Sequence, residues 1–139
     1  MDINPQILLV QLFKHAVNAA HPSSVLKIHI PTNINSPAIV IGAGKAAAAM
    51  ATEFEKYWQG SIAGLVVTPY GHTEKCEYIE VIEASHPAPD EKSVIAAKRI
   101  LQLTNNITKD TQLFFLLSGG GSSLLCLPGG DITFGEKRA

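Results

Sequence analysis

The sequence has few cysteines, no charge excess and no long apolar run, and each shortage excludes a class. Its two cysteines, Cys76 and Cys126, lie far apart in 139 residues. A disulfide scaffold needs a denser set and a zinc site needs clustered ligands, so free thiols, buried or half-buried in a reducing cytosol, are expected. The 11 Lys+Arg balance 12 Asp+Glu to a net charge of −1, which excludes the basic stripe of a nucleic-acid binder. No apolar stretch approaches the roughly 18 residues of a membrane span. Residues 1–20 are apolar-rich, but Asp2 and Lys14 interrupt them. They have no basic start and no small-residue cleavage site, so no signal peptide is expected and the chain is read as cytoplasmic, without a membrane partner. What is present is 46% hydrophobic and 17% charged, too apolar for a disordered tail. The length suits one domain over residues 1–139, able to bury roughly 68% of its unfolded surface.

Helix and strand signals alternate along the chain. Asn4-Pro5 opens a first helix, with Leu9, Leu12, Phe13, Ala16 and Val17 on one face, and His21-Pro22 stops it. Residues 31–37 read as a loop. Ala38 to Ile41 is a short apolar strand leading into Gly42-Ala43-Gly44. The next helix puts Ala47, Met50, Phe54 and Trp58 on one face and ends at Gly60. Leu65 to Thr68 is a second strand. Tyr78 to Glu83, half-alternating, is a third and suits a sheet edge. Asp90 caps a helix whose stripe is Val94, Ala97 and Leu101. Leu113 to Leu117 is a fourth strand, followed by Ser118-Gly119-Gly120-Gly121-Ser122. Strands without alternation are expected to be buried on both faces, and strands alternating with helices imply right-handed crossovers. The expected fold is therefore α/β: a Rossmann-like open parallel sheet with helices on both faces. Thr133-x-x-Glu136 has capping-box spacing, and a helix begun there and then cut off suggests an incomplete N-terminal domain.

Ligands of open parallel sheets bind beyond the carboxyl ends of the strands. Gly42-Ala43-Gly44-Lys45 sits at one such end. Its glycines permit close backbone approach, a helix N-terminus offers free N–H groups, and Lys45 adds a full charge. A tight turn with a solvated lysine explains the same residues. Ala47 completes the loose G-x-G-x-x-A dinucleotide pattern, yet Thr68-Pro69 stands where a ribose-binding acid belongs. Ser118-Gly119-Gly120-Gly121-Ser122 follows another strand, where successive N–H groups can form an anion nest and hydroxyls can donate to oxyanions. His86 in Glu83-Ala84-Ser85-His86-Pro87 can donate to a ligand or simply bond loop backbone. Tyr70-Gly71-His72 carries the same two readings, and His15, His21 and His29 read as structural or surface residues. No metal-ligand cluster is evident.

Taken in order, Val40–Ala51, Gly64–Thr68, Tyr70-Gly71-His72, Glu83–Pro87 with Pro89-Asp90, and Ser118–Ser122 resemble five motifs of the MOFRL-type glycerate 2-kinases. Members of that family also carry the label hydroxypyruvate reductase. The resemblance implies transfer of the ATP γ-phosphoryl group to D-glycerate, giving 2-phosphoglycerate, with ATP and Mg²⁺ as cofactors. It implies a two-domain fold with the site in the cleft, Lys45 as the catalytic group that binds substrate or the transferring phosphoryl, and Ser118–Ser122 lining the same cleft. Pro69 departs from the basic residue expected there. The family's later motifs and C-terminal domain are absent from these 139 residues, so an N-terminal fragment, inactive alone, is expected. Exposed apolar surface on such a piece favours a homo-oligomer. An NAD(P)-dependent hydroxypyruvate reductase and a non-enzymatic anion-binding module are the alternatives.

Overall fold

The computed structural model describes residues 4–32, 34–105 and 107–138. Helix α1 runs Pro5–Ala20, the short α2 runs Pro22–Val25, and a 3-10 turn spans Leu26–His29. Strand β1 is Ala38–Ala43, helix α3 Ala47–Tyr57, strand β2 Ile62–Pro69 and strand β3 Ile79–Ala84. Helix α4 is Glu91–Thr104, strand β4 Gln112–Leu117, and the short helices α5 and α6 are Gly121–Leu124 and Phe134–Arg138. The caps follow local chemistry. Asn4 Oδ1 accepts from the N–H groups of Gln6 and Ile7, and Thr133 with Glu136 forms the expected reciprocal box before α6. Of the two thiols, both free, Cys126 is buried and Cys76 half-buried.

The four strands form one all-parallel sheet in the order β3-β2-β1-β4. The chain steps outward from β1 to β2 to β3, then returns across the sheet to place β4 on the other side of β1. Strand order therefore reverses between β1 and β4, and in open α/β sheets ligands bind at that reversal. Alternate residues of the strands feed two cores. Val40, Val66 and Leu116 meet Ala47, Ala51, Phe54 and Trp58 of the α3 side. Leu65, Val67, Ala43 and Ala84 meet Ala96 and Ile100 of α4 and Leu124 of α5. Phe54, Trp58 and Phe114 form an aromatic cluster with ring centroids 4.8–5.6 Å apart. The step from β2 to β3 uses no helix. The Glu55 carboxylate of α3 instead accepts from the N–H groups of Glu77, Tyr78 and Ile79 at 2.7–2.8 Å and pins the entry to β3.

Three expectations are corrected. Strand β4, apolar from Leu113 to Leu117, is buried on one face only: Phe115 is 54% and Leu117 60% exposed, because α4 packs chiefly on β2 and β3 and less on β1. In α4 the buried stripe is Ser93, Ala96, Ala97 and Ile100, one position away from the expected one, and Leu101 faces solvent. The apolar face of α1 buries nothing, with Phe13 70% exposed. Burial thus separates Phe54, 1% exposed in the core, from Phe115. Phe54→Ala should cost about 3–5 kcal/mol through lost contacts and a cavity, while Phe115→Ala should cost less than about 1 kcal/mol. Urea unfolding of the two variants checks this, and equal costs would mean that β4 is covered.

Candidate functional site

The carboxyl ends of β1 and β4 are stitched together. Gly42 is buried, and a Cβ on it would strike the Leu116 carbonyl. Gly44 has φ +136°, and a Cβ there would overlap the Ser118 hydroxyl and carbonyl. Both glycines therefore serve an approach of backbone to backbone. The Gly44 N–H donates to the Val67 carbonyl at 3.0 Å, the Lys45 N–H to the Gly119 carbonyl at 2.9 Å, and the Ala47 N–H to the Gly44 carbonyl at 3.1 Å. The Ala46 N–H donates to Ser118 Oγ at 3.0 Å, and the Ser118 N–H returns a bond to the Ala43 carbonyl at 3.1 Å. The free N–H groups expected at residues 44–47 are thus committed. The Ser118–Gly119 segment comes close enough that its own oxygens occupy the place of an anion.

The donors left over belong to the glycine loop itself. Gly119 is exposed, with open space where a Cβ would stand, and Gly120 has φ +91°. Neither N–H finds an acceptor among the described residues. The His86 ring packs on Gly120, leaving no room for a Cβ, which would lie 2.7 Å from Cδ2 and Nε2. Ser123 Oγ donates to the Gly120 carbonyl at 3.1 Å and steadies the loop, while Ser122 is exposed. The structure therefore brings Gly42, Gly44, Lys45, His86 and Ser118–Ser122 to one end of the sheet. The Lys45 side chain is exposed and lines a cavity of about 370 Å³ together with His21, Gly71, His72 and Glu74. In the sequence His72 carries both a ligand and a structural reading, and His21 reads as a structural or surface residue. Position at the end of β2 was the available signal for His72, and His21 offered none.

A second set of bonds fixes the loops behind this cavity. The Tyr70 hydroxyl donates to Asp90 Oδ2 at 2.7 Å, and Lys92 Nζ lies 5.0 Å from the Tyr70 ring centroid. The Gly71 N–H donates to Glu83 Oε1 at 2.7 Å. Asp90 caps α4 as expected, in a reciprocal box with Ser93. Burial opposes the Asp90 charge, but bonds from the Tyr70 hydroxyl and from the N–H groups of Ser93, Ser85 and Lys92 outweigh it and hold the carboxyl below its ordinary value of 3.8. The same bond raises the Tyr70 phenol.

The geometry defines a class: an open parallel α/β domain with a glycine loop and a lysine at its switch point. A family model described as "Domain of unknown function (DUF4147)" matches residues 8–139, and the chain belongs to that family. A protein of Agrobacterium vitis named "Putative hydroxypyruvate reductase" is 40% identical over 99% of this chain and 32% of its own length. A "D-glycerate 2-kinase" of Thermotoga maritima is 37% identical over 87% of this chain and 30% of its own length. A crystal structure of glycerate kinase from Thermotoga maritima superposes with a TM-score of 0.77 at 35% identity, covering 93% of this chain and 32% of that one. The chain thus spans about a third of the length of the relatives it matches.

The depressed Asp90 acid yields a prediction. A carboxyl with a lowered folded-state pKa contributes stability above its unfolded value and loses it as pH falls through the folded one. Tyr70→Phe should therefore be less stable than the parent above about pH 4, with the gap closing as pH falls further. Urea unfolding at several pH values measures it, and a gap independent of pH contradicts the assigned bond.

Proposed function

We propose that this domain supplies the phosphate-binding loop and the cationic group of a glycerate 2-kinase, which moves the ATP γ-phosphoryl group onto D-glycerate to give 2-phosphoglycerate. The observation that carries the reading is the N–H pair of Gly119 and Gly120, without an acceptor among the described residues, beside Lys45 at the strand reversal. Phosphoryl transfer asks little covalent chemistry of a protein. It asks for positioning and for neutralisation of charge on phosphate oxygens. The glycine loop offers backbone donors at fixed positions, Ser122 an exposed hydroxyl, and Lys45 a full positive charge on a mobile stem.

ATP phosphate oxygens would take the donors on the loop, where the open space lies over Gly119. Mg²⁺ is assigned no ligands here. Among the described residues no group of three or more His, Cys, Asp or Glu side chains could hold a metal ion, and no step is routed through one. The names of the kinase relatives support the reaction class, and the chain's coverage of a third of their length leaves room for further groups. The hydroxypyruvate reductase reading draws on the Agrobacterium vitis name and on Gly42-Ala43-Gly44. A dinucleotide pyrophosphate would rest on the N–H groups of that first turn, and those are already bonded within the protein.

The test is glycerate-dependent ATP turnover by a polypeptide that carries this sequence through the full length of its relatives. Lys45→Ala should lower kcat/KM by about 100-fold or more, the scale on which a positioned charge acts in a transition state. Turnover within a few-fold of the parent would remove Lys45 from the chemistry, and NADH oxidation with hydroxypyruvate in place of ATP turnover would restore the reductase.

A further inference from the structure

The cavity lined by Lys45 is separate in its walls from the glycine loop. Its sides come from the His21-Pro22 corner between α1 and α2, the start of α3, and the turn after β2. Its volume of about 370 Å³ is in the range of small-ligand sites, about 300–1,000 Å³. Its chemistry is mixed: the Lys45 ammonium, the imidazoles of His21 and His72, and the carboxylate of Glu74. Neither ion pair among the described residues uses Lys45 or Glu74.

The two histidines are held in place by bonds that do not consume their outward chemistry. His21 Nδ1 accepts from the Ser23 N–H at 3.3 Å and bonds Ser23 Oγ at 2.8 Å. A nitrogen that accepts from an N–H carries no proton, so in the neutral ring the proton sits on Nε2. Nε2 is then a donor with no role inside the corner, and buried Pro22 fixes that corner against the body of the domain. His72 is carried by a pinned turn: its N–H donates to the Pro69 carbonyl at 3.1 Å, its carbonyl accepts from Thr68 Oγ1 at 3.4 Å, and Gly71 turns at φ +77° with its N–H on Glu83. Three donor groups, one ammonium and two imidazoles, and one carboxylate acceptor around a small volume match a molecule with a carboxylate at one end and hydroxyls along its length.

We infer that this cavity is the acceptor subsite, in which Lys45, His72 and His21 Nε2 hold the carboxylate of a small hydroxy acid while Glu74 accepts from its hydroxyls. The assignment rests on the kinase reading above and deepens it. His21 and His72 become specificity residues for the acceptor, distinct from the loop that takes phosphate. Lys45 stands between the two, since its N–H is tied to the Gly119 carbonyl and its side chain faces the cavity.

Calorimetric titration of this chain with D-glycerate and, separately, with inorganic phosphate tests the subsite. Two variants keep the fold: His72→Ala on an exposed turn, and His21→Asn, since asparagine also caps helices and removes only the Nε2 donor. Each should weaken D-glycerate binding about tenfold, the loss of one charge-assisted hydrogen bond, and leave phosphate binding unchanged. Propanoate, with a carboxylate and no hydroxyl, should bind the parent more weakly than D-glycerate. D-glycerate affinity equal to the parent's in both variants overturns the subsite and leaves the kinase reading standing. Phosphate binding without any D-glycerate binding also overturns the subsite alone. Binding of neither ligand overturns both.

Discussion

The fold of this domain turns on one close approach, the splice between the turn after β1 and the loop after β4. Three main-chain N–H groups, those of Lys45, Ala46 and Ser118, find their acceptors across it. A missing Cβ at Gly42 and at Gly44 is what lets the two backbones meet. The splice fixes where strand order reverses, and so where an open sheet can hold a ligand. It also decides which backbone donors remain. By satisfying the first turn of α3 from within, the protein leaves the Gly119–Gly120 amides and the Lys45 side chain to face outward. A buried polar group left without a partner is costly, and neither residue is buried: Gly119 is exposed and Gly120 partly so.

Around that splice the energetics are those of a parallel sheet with two uneven sides. The α3 side is closed by an aromatic cluster and by the segment that Glu55 ties down. The other side is closed by α4 over three strands and left bare over β4. Leu113, Phe115 and Leu117 form an alternating row of exposed apolar side chains on an edge strand. The apolar face of α1 is exposed as well. Relatives three times as long have the chain with which to cover such faces.

Much of this was legible in the residues. Four apolar runs gave four strands, and the half-alternating run at Tyr78–Glu83 did fall at an edge. Asn4, Asp90 and Thr133 capped the helices their chemistry assigns them. What failed was long-range. Continuous apolarity in β4 looks the same whether one face or both are covered, because periodicity reports side-chain character and says nothing of neighbours. The α4 stripe slipped because small residues, Ser93 and Ala96, lie under the helix where larger ones were expected. The site was legible as two glycine-rich ends. Their mutual hydrogen bonding, which spends the amides of one on the other, is a contact across 72 residues that no local pattern encodes.

The central claim is a division of labour among amides at the strand reversal. Amide-resolved NMR of this chain under titration with inorganic phosphate tests it most directly. The account predicts that the Gly119 and Gly120 resonances move with phosphate while those of Lys45 and Ala46, already bonded, move much less. Large shifts at Lys45 and Ala46 with Gly119 and Gly120 unmoved would contradict it, and would return the anion to the start of α3.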